Sequence, residues 1–297
     1  MFDGFETADV DTGEARIHLR RGGSGPPLLL LHGYPQTHVM WHRVAPVLAE
    51  EFTVVACDLR GYGRSSRPAT TVDHWPYTKR AMAADQIAVM RALGFERFAV
   101  CGHDRGARVG YRLALDHPER VTRLAVLDIV PTGEALVRAN REFGLGYFHW
   151  FFLAQPAPLP ERMIAADPEA YYRFDRVGDV FAPEALDEYR RFAADPETLH
   201  TMCEDYRAGA TLDYWHDLAD RGRRRRIRCP LLALWGTRWH VDDWYDVLAV
   251  WREWADDVSG RALDCGHYLP EERPEETAAE LRAFFGAATT SAASPSR

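Results

Sequence analysis

An α/β fold is predicted, with a mostly parallel sheet, flanking helices and a helical cap inserted between two of its strands. Three observations carry the prediction. Short unbroken apolar runs alternate with longer helix-patterned stretches, each run stops at Gly, Asp or His, and one stretch from about Pro131 to Arg221 drops the alternation for helical patterning alone. Continuous apolar runs of this length suit strands covered on both faces, as parallel strands are.

The runs are Leu28 to Leu31, Phe52 to Cys57, Phe98 to Cys101, Leu124 to Leu127 and Leu231 to Trp235. They lead into His32-Gly33-Tyr34-Pro35, Asp58, the Gly102 turn, Asp128 and Gly236. In open α/β sheets ligands bind beyond the carboxyl ends of strands, so these residues are where function is sought. The stretch that breaks the rhythm is rich in aromatics and prolines (Tyr147 to Phe152, Pro156, Pro158, Pro160, Pro168). The expected organisation is a core of residues 1–132 and 222–285, a helical cap of residues 133–221, and a disordered tail of residues 286–297, rich in Ala, Ser and Thr.

The chain has 297 residues, 46% hydrophobic and 27% charged, enough for a large core. Charge is mixed, with a net of −8, which speaks against nucleic acid and a polybasic membrane anchor, and the run Arg223 to Arg226 reads as a solvated loop where the cap rejoins the core. An acidic protein gains no long-range pull on an anionic substrate, which local arginines would have to hold. Five scattered cysteines show no metal-ligand spacing, and reduced thiols in a cytoplasmic protein are the simplest expectation. The first residues lack the apolar core of a signal peptide, and no apolar run is long enough to cross a bilayer, so no membrane partner is expected.

Gly102-His103-Asp104-Arg105-Gly106 fits a strand–turn–helix elbow, G-x-nucleophile-x-G, with Asp104 where serine is usual. The following helix begins there, and its N-terminal N–H groups favour a carboxylate that stays ionised. Taken alone, five residues fit an N-capping Asp equally well. Agreement across the chain favours the elbow: Asp104, Asp128 and His267 follow the order nucleophile, acid, base of the α/β-hydrolase fold. His32-Gly33 marks the oxyanion loop, and the backbone N–H groups of Tyr34 and Arg105 would form the hole. The loop Gly236 to Asp243 offers another acid, but late, and Asp128 is preferred. A carboxylate nucleophile displaces a leaving group from sp³ carbon and becomes an alkyl ester. Water activated by His267 then attacks that ester. Carbon–halogen cleavage and epoxide opening are the main uses, and neither needs a metal or an organic cofactor.

The stretches Gly102 to Arg108, Leu127 to Thr132, His149-Trp150, Asp205 to Gly209 and Gly266-His267 resemble the fluoroacetate/haloacetate dehalogenases, as does His32 to His38. The likeness spans nearly the whole chain. It implies Asp104 as nucleophile, Asp128 as acid and His267 as base. It further implies Arg105 and Arg108 as the pair binding the substrate carboxylate, and His149, Trp150 and Tyr206 as the halide pocket. It also implies a homodimer acting on a small haloacetate. Guanidinium forks suit a carboxylate, and N–H and O–H donors suit a departing halide. Without the resemblance, His149, Trp150 and Tyr206 read as packing residues of an amphipathic cap. One segment departs from these relatives: Arg173 to Phe181 carries no tryptophan and is shorter, which bears on pocket size and on fluoride against chloride or bromide.

An epoxide hydrolase shares Asp104 and His267, but that class has tryptophan where Arg105 stands. A haloalkane dehalogenase takes a neutral substrate and has no use for two arginines. A non-catalytic binding protein on this scaffold commonly lacks one of the three catalytic groups.

Overall fold

The structure, a computed structural model, describes residues 1–174 and 180–287. Asp175 to Asp179, within the cap segment singled out above, and residues 288–297 of the expected tail lie outside it.

Eight strands form one sheet in the order β1-β2-β4-β3-β5-β6-β7-β8. They are β1 Glu6–Asp11, β2 Arg16–Gly22, β3 Pro27–Leu31, β4 Thr53–Cys57, β5 Phe98–His103, β6 Val121–Leu127, β7 Leu231–Gly236 and β8 Val258–Leu263. β2 runs antiparallel to both its neighbours, and every pairing from β4 to β8 is parallel. The side chains alternate across the sheet. Leu29, Leu31, Val55, Val100 and Val126 enter one buried cluster, while Leu28, Leu30, Val54, Cys101 and Leu127 enter another on the opposite face. Each such side chain contributes about 1.5–3 kcal/mol by leaving water. Two buried faces explain why the central strands read as unbroken apolar runs.

Helix α1, Lys79–Ala92, starts at Thr78, whose hydroxyl accepts from the Ala81 N–H at 3.2 Å. Helix α2, Arg105–Asp116, packs on β5 and β6 and is buried along most of its length. Between β6 and β7, the described residues from Thr132 to Gly222 build helices and no strand. Three of these shape the site: α3 Phe148–Leu153, α4 Pro168–Tyr172 and α5 Pro196–Ala208. α5 has Pro196 at its first position and Asp195 as its cap, accepting from the Thr198 N–H at 2.8 Å. It runs straight into a π-turn, Gly209–Asp213.

The last helix, α6, spans Pro274–Gly286, with Ala287 as its cap. Gly286 and Ala287 therefore belong to an ordered helix end, where disorder was expected. The helix extends because Leu281 and Phe285 bury against the sheet. No helix among the described residues is long and apolar enough to cross a membrane.

Candidate active site

The elbow forms because nothing larger than glycine fits around it. A Cβ on Gly102 would lie 2.5 Å from the Ala107 backbone, and one on Gly106 would lie 2.4 Å from the His32 carbonyl. Asp104 between them has φ 44° and ψ −113°, a conformation L-residues rarely hold, which costs of the order of 1–3 kcal/mol. That bend ends β5 and turns the carboxylate out over the carboxyl edge of the sheet, at the start of α2. The Tyr34 N–H donates to Asp104 Oδ2 at 3.2 Å, and the Arg105 N–H, first in its helix, has no intrahelical acceptor. Oδ2 thus faces the Tyr34 donor, and Oδ1 faces Arg108, 3.9 Å from its Nε. His32 fixes the oxyanion loop: its Nδ1–H donates to the Gly33 carbonyl at 2.9 Å, and its Nε2 accepts from the Leu59 N–H at 3.0 Å. Burial works against the charge on Asp104, but His267, Arg108 and Arg105 outweigh it and hold its pKa below the usual carboxylate range.

Asp128, directly after β6, also adopts a positive φ of 56°. Its Oδ1 accepts from the Gly236 N–H at 2.9 Å and its Oδ2 from His267 Nδ1 at 2.5 Å. Asp242, in the loop that offered an alternative acid, instead accepts from Trp235 Nε1 at 2.5 Å. Burial pushes the Asp128 carboxyl up, and Asp128 pushes the buried His267 ring up despite desolvation, so the pair grips one proton tightly. With Nδ1 bound to Asp128, Nε2 is the nitrogen of His267 free to act as a base.

The two arginines differ. Arg105 donates through Nε and Nη2 to the Asp205 carboxylate at 2.9 and 2.6 Å, and through Nη2 to the Asp205 carbonyl at 2.7 Å. Asp205 is fully buried and also takes Tyr62 Oη at 2.7 Å and the Lys79 ammonium. The Arg105 fork is thus held by protein, and only Nη1 remains without a hydrogen-bond partner among the described residues. Arg108 spends Nη1 on the Val130 carbonyl and Thr132 Oγ1, both at 3.1 Å, while its buried Nε has no partner.

Asp104, Arg108, Asp128, His149, Trp150 and His267 line one cavity of about 200 Å³ beneath the cap. Arg105 and Tyr206 line a second cavity behind it, of about 240 Å³, and Trp150 belongs to both. Tyr206 still touches the group: the Arg105 guanidinium sits 4.2 Å over its ring, and its ring centre is 5.8 Å from that of His149. Burial lowers the His149 pKa to about 4, so its ring is neutral and keeps one N–H to donate.

The alpha/beta hydrolase fold family matches residues 26–274. A fluoroacetate dehalogenase of Burkholderia sp is 47% identical over 96% of this chain and 95% of its own. The chain belongs to the haloacetate dehalogenase family of the alpha/beta hydrolases. A soluble epoxide hydrolase of Corynebacterium sp. is 35% identical over 91% of this chain and 93% of its own. An alpha/beta hydrolase of Nostoc sp PCC 7120 superposes with a TM-score of 0.93 at 56% identity, covering 96% of this chain and 99% of that one.

Three residues of this hydrolase escaped the sequence reading. His103 packs against His267, with ring centres 4.6 Å apart and planes tilted by 51°, and its Nε2–H donates to the His267 carbonyl at 2.8 Å. Burial lowers its pKa to about 3, so it acts as a neutral donor that holds the base's loop. Trp239 lies against the other side of His267, at 5.7 Å and 30°. Its indole N–H donates to Tyr147 Oη at 3.0 Å, tying the loop after β7 to the cap. Asp205 is the third. It lay inside the quoted Asp205 to Gly209 stretch, but nothing local shows that it reaches Arg105, distant in sequence.

Proposed function

We propose that the enzyme hydrolyses 2-haloacetates to glycolate and halide through an ester on Asp104. The observation that carries this reading is Arg108. The buried Arg108 guanidinium pairs in charge with Asp104, 3.9 Å from its Oδ1 in the same cavity, yet its Nε has no hydrogen-bond partner, which leaves a charged donor suited to a substrate carboxylate. A carboxylate held at Arg108 places the halogen-bearing carbon against Oδ1, with Arg105, paired to Asp205 beside the neighbouring cavity, adding positive charge from behind. A neutral epoxide offers that Nε no charge-assisted hydrogen bond.

Oδ1 attacks the carbon, an O–C bond forms, and the carbon–halogen bond breaks with its electron pair leaving on the halide. The His149 N–H, the Trp150 indole N–H and the Tyr206 hydroxyl are the donors available to it. Water then attacks Asp104 Cγ as His267 Nε2 takes its proton, with the charge on the carboxyl oxygen met by the Tyr34 and Arg105 N–H groups. Collapse restores the carboxylate and returns glycolate. Every step uses side chains, backbone N–H groups and water. The family resemblance further suggests a homodimer, and the free cysteines suit a cytoplasmic protein.

Incubation with fluoro-, chloro- and bromoacetate, read by halide-selective electrode, is expected to show halide from at least one of them. Silence from all three with turnover of styrene oxide would replace this reading by epoxide hydrolysis, which the 35%-identical relative makes the natural rival. The pH profile provides a second check. The base must be neutral, and Asp128 raises its pKa, so the rate should begin to fall at a pH above an ordinary histidine's 6.5. A rate that stays flat through the histidine range would remove His267 from this role.

A further inference from the structure

Arg108 does not hold its own pose. Its Nη1 donates to Thr132 Oγ1 at 3.1 Å, and Thr132 Oγ1 lies 3.1 Å from Tyr111 Oη. Tyr111 Oη in turn lies 2.8 Å from Asp217 Oδ2. Arg108 and Tyr111 sit three residues apart on one face of α2. Thr132 opens the cap, and Asp217 belongs to the helix Tyr214–Gly222 at the cap's end. All four residues are buried, and Tyr111, Thr132 and Asp217 line neither of the two cavities at the site.

The protons of this chain can run in only one direction. A carboxylate only accepts, a guanidinium only donates, and each hydroxyl has one proton. Burial raises the Asp217 pKa to about 6, which leaves it ionised at neutral pH. The Tyr111 proton therefore goes to Asp217, and Tyr111 Oη accepts the Thr132 hydroxyl together with the Thr132 N–H at 3.1 Å. Thr132 Oγ1 then keeps its lone pairs for Arg108. Each bond in such a chain polarises the next. Its far end is firmly seated: Asp217 Oδ2 also accepts the Gly133 N–H at 2.8 Å, and a Cβ on Gly133 would lie 2.7 Å from the Asp217 Cβ. Arg112, 3.9 Å from Asp217, does not require it, since Asp116 and Asp220 already face Arg112 at 2.9 and 2.6 Å.

We propose that Asp217 is a positioning residue for the reaction: through Tyr111 and Thr132 it fixes the Arg108 guanidinium with Nε toward Asp104 Oδ1. This rests on the reading of Arg108 as the group that takes the substrate carboxylate. A guanidinium tied at Nη1 presents Nε in one pose. An untied one must be ordered when substrate arrives, and that ordering weakens binding.

The test measures halide release from chloroacetate in the wild type, Tyr111→Phe, Asp217→Asn, their double variant and Arg108→Lys. Tyr111→Phe cuts the chain at its middle and leaves the Asp217–Gly133 contact and every charge in place. It should raise KM about tenfold, the worth of one hydrogen bond, with kcat within about twofold. Asp217→Asn keeps an acceptor but not the charge, and should raise KM about threefold. Coulomb's law alone gives the opposite sign, because removing a negative charge helps an anion to bind. The double variant should be no worse than Tyr111→Phe, because both changes cut the same chain. If Asp217→Asn fails to fold, the split between KM and kcat in Tyr111→Phe decides. An unaltered KM in Tyr111→Phe, a loss carried by kcat, a lowered KM in Asp217→Asn, or losses that multiply in the double variant overturn the positioning role alone, provided Arg108→Lys still raises KM. No halide from the wild type, or an unaltered KM in Arg108→Lys, overturns it together with the reading of Arg108.

Discussion

His267→Asn should release one equivalent of halide per active site and then stop. The two halves of the reaction make different demands. Alkylation needs an ionised Asp104, and Arg108 and Arg105, two of the groups that favour its charge, remain in this variant. Hydrolysis of the ester needs a proton taken from water, and His267 Nε2 is placed to take it, with Nδ1 anchored on Asp128 at 2.5 Å. Removing a general base costs about 10²–10⁴ in rate, so steady-state turnover should fall by roughly a thousandfold while the first equivalent still appears. Rapid-mixing measurement of halide separates the two. A variant with no burst would show that His267 is required for the alkylation itself.

Arg108→Lys is the second large effect, a loss of about a hundredfold in kcat/KM for haloacetates, carried mainly by KM. Charge is conserved in this change, but the planar fork is lost. Arg108 Nη1 bridges the Val130 carbonyl and Thr132 Oγ1 while Nε faces the nucleophile, so one guanidinium both grips the segment that follows β6 and presents an N–H to the substrate. The shorter reach of three donors on one nitrogen cannot do both. Losing a charge-assisted hydrogen bond of about 1.5–3 kcal/mol gives the stated factor. Chloroacetamide, which has no carboxylate, should be almost indifferent to the change. An unaltered KM for chloroacetate would take Arg108 out of substrate binding.

The central sheet was legible because its strands are buried on both faces, so Leu28 to Leu31 and Leu231 to Trp235 read as apolar runs. β1, β2 and β8 left no such signal. β1 and β8 are edge strands whose residues are largely exposed or half-buried, and in β2 only Ile17 and Leu19 mark the core among charged neighbours. The elbow and the order Asp104, Asp128, His267 were legible because strand ends and tight glycine turns are local. The division between the arginines was not. Arg105 and Arg108 stand one turn apart on α2 and look equivalent, but the carboxylate that takes Arg105 comes from α5. Gly209, where α5 passes into its π-turn, lets that contact form: a Cβ there would lie 3.1 Å from Arg105 Nη2. Tyr206 likewise reaches the site from α5, behind Trp150. Such long-range choices follow from how the cap sits on the core, which no window of sequence contains.

The claim on which the rest depends is that Asp104 bonds covalently to the substrate's carbon. Peptide-mass mapping of His267→Asn after exposure to fluoroacetate or chloroacetate tests it directly. The account predicts one carboxymethyl group on the peptide containing Asp104, localised to that residue by fragmentation and absent from an Asp104→Asn, His267→Asn double variant. Halide release with an unmodified Asp104 peptide, or a carboxymethyl group on another side chain, would contradict it.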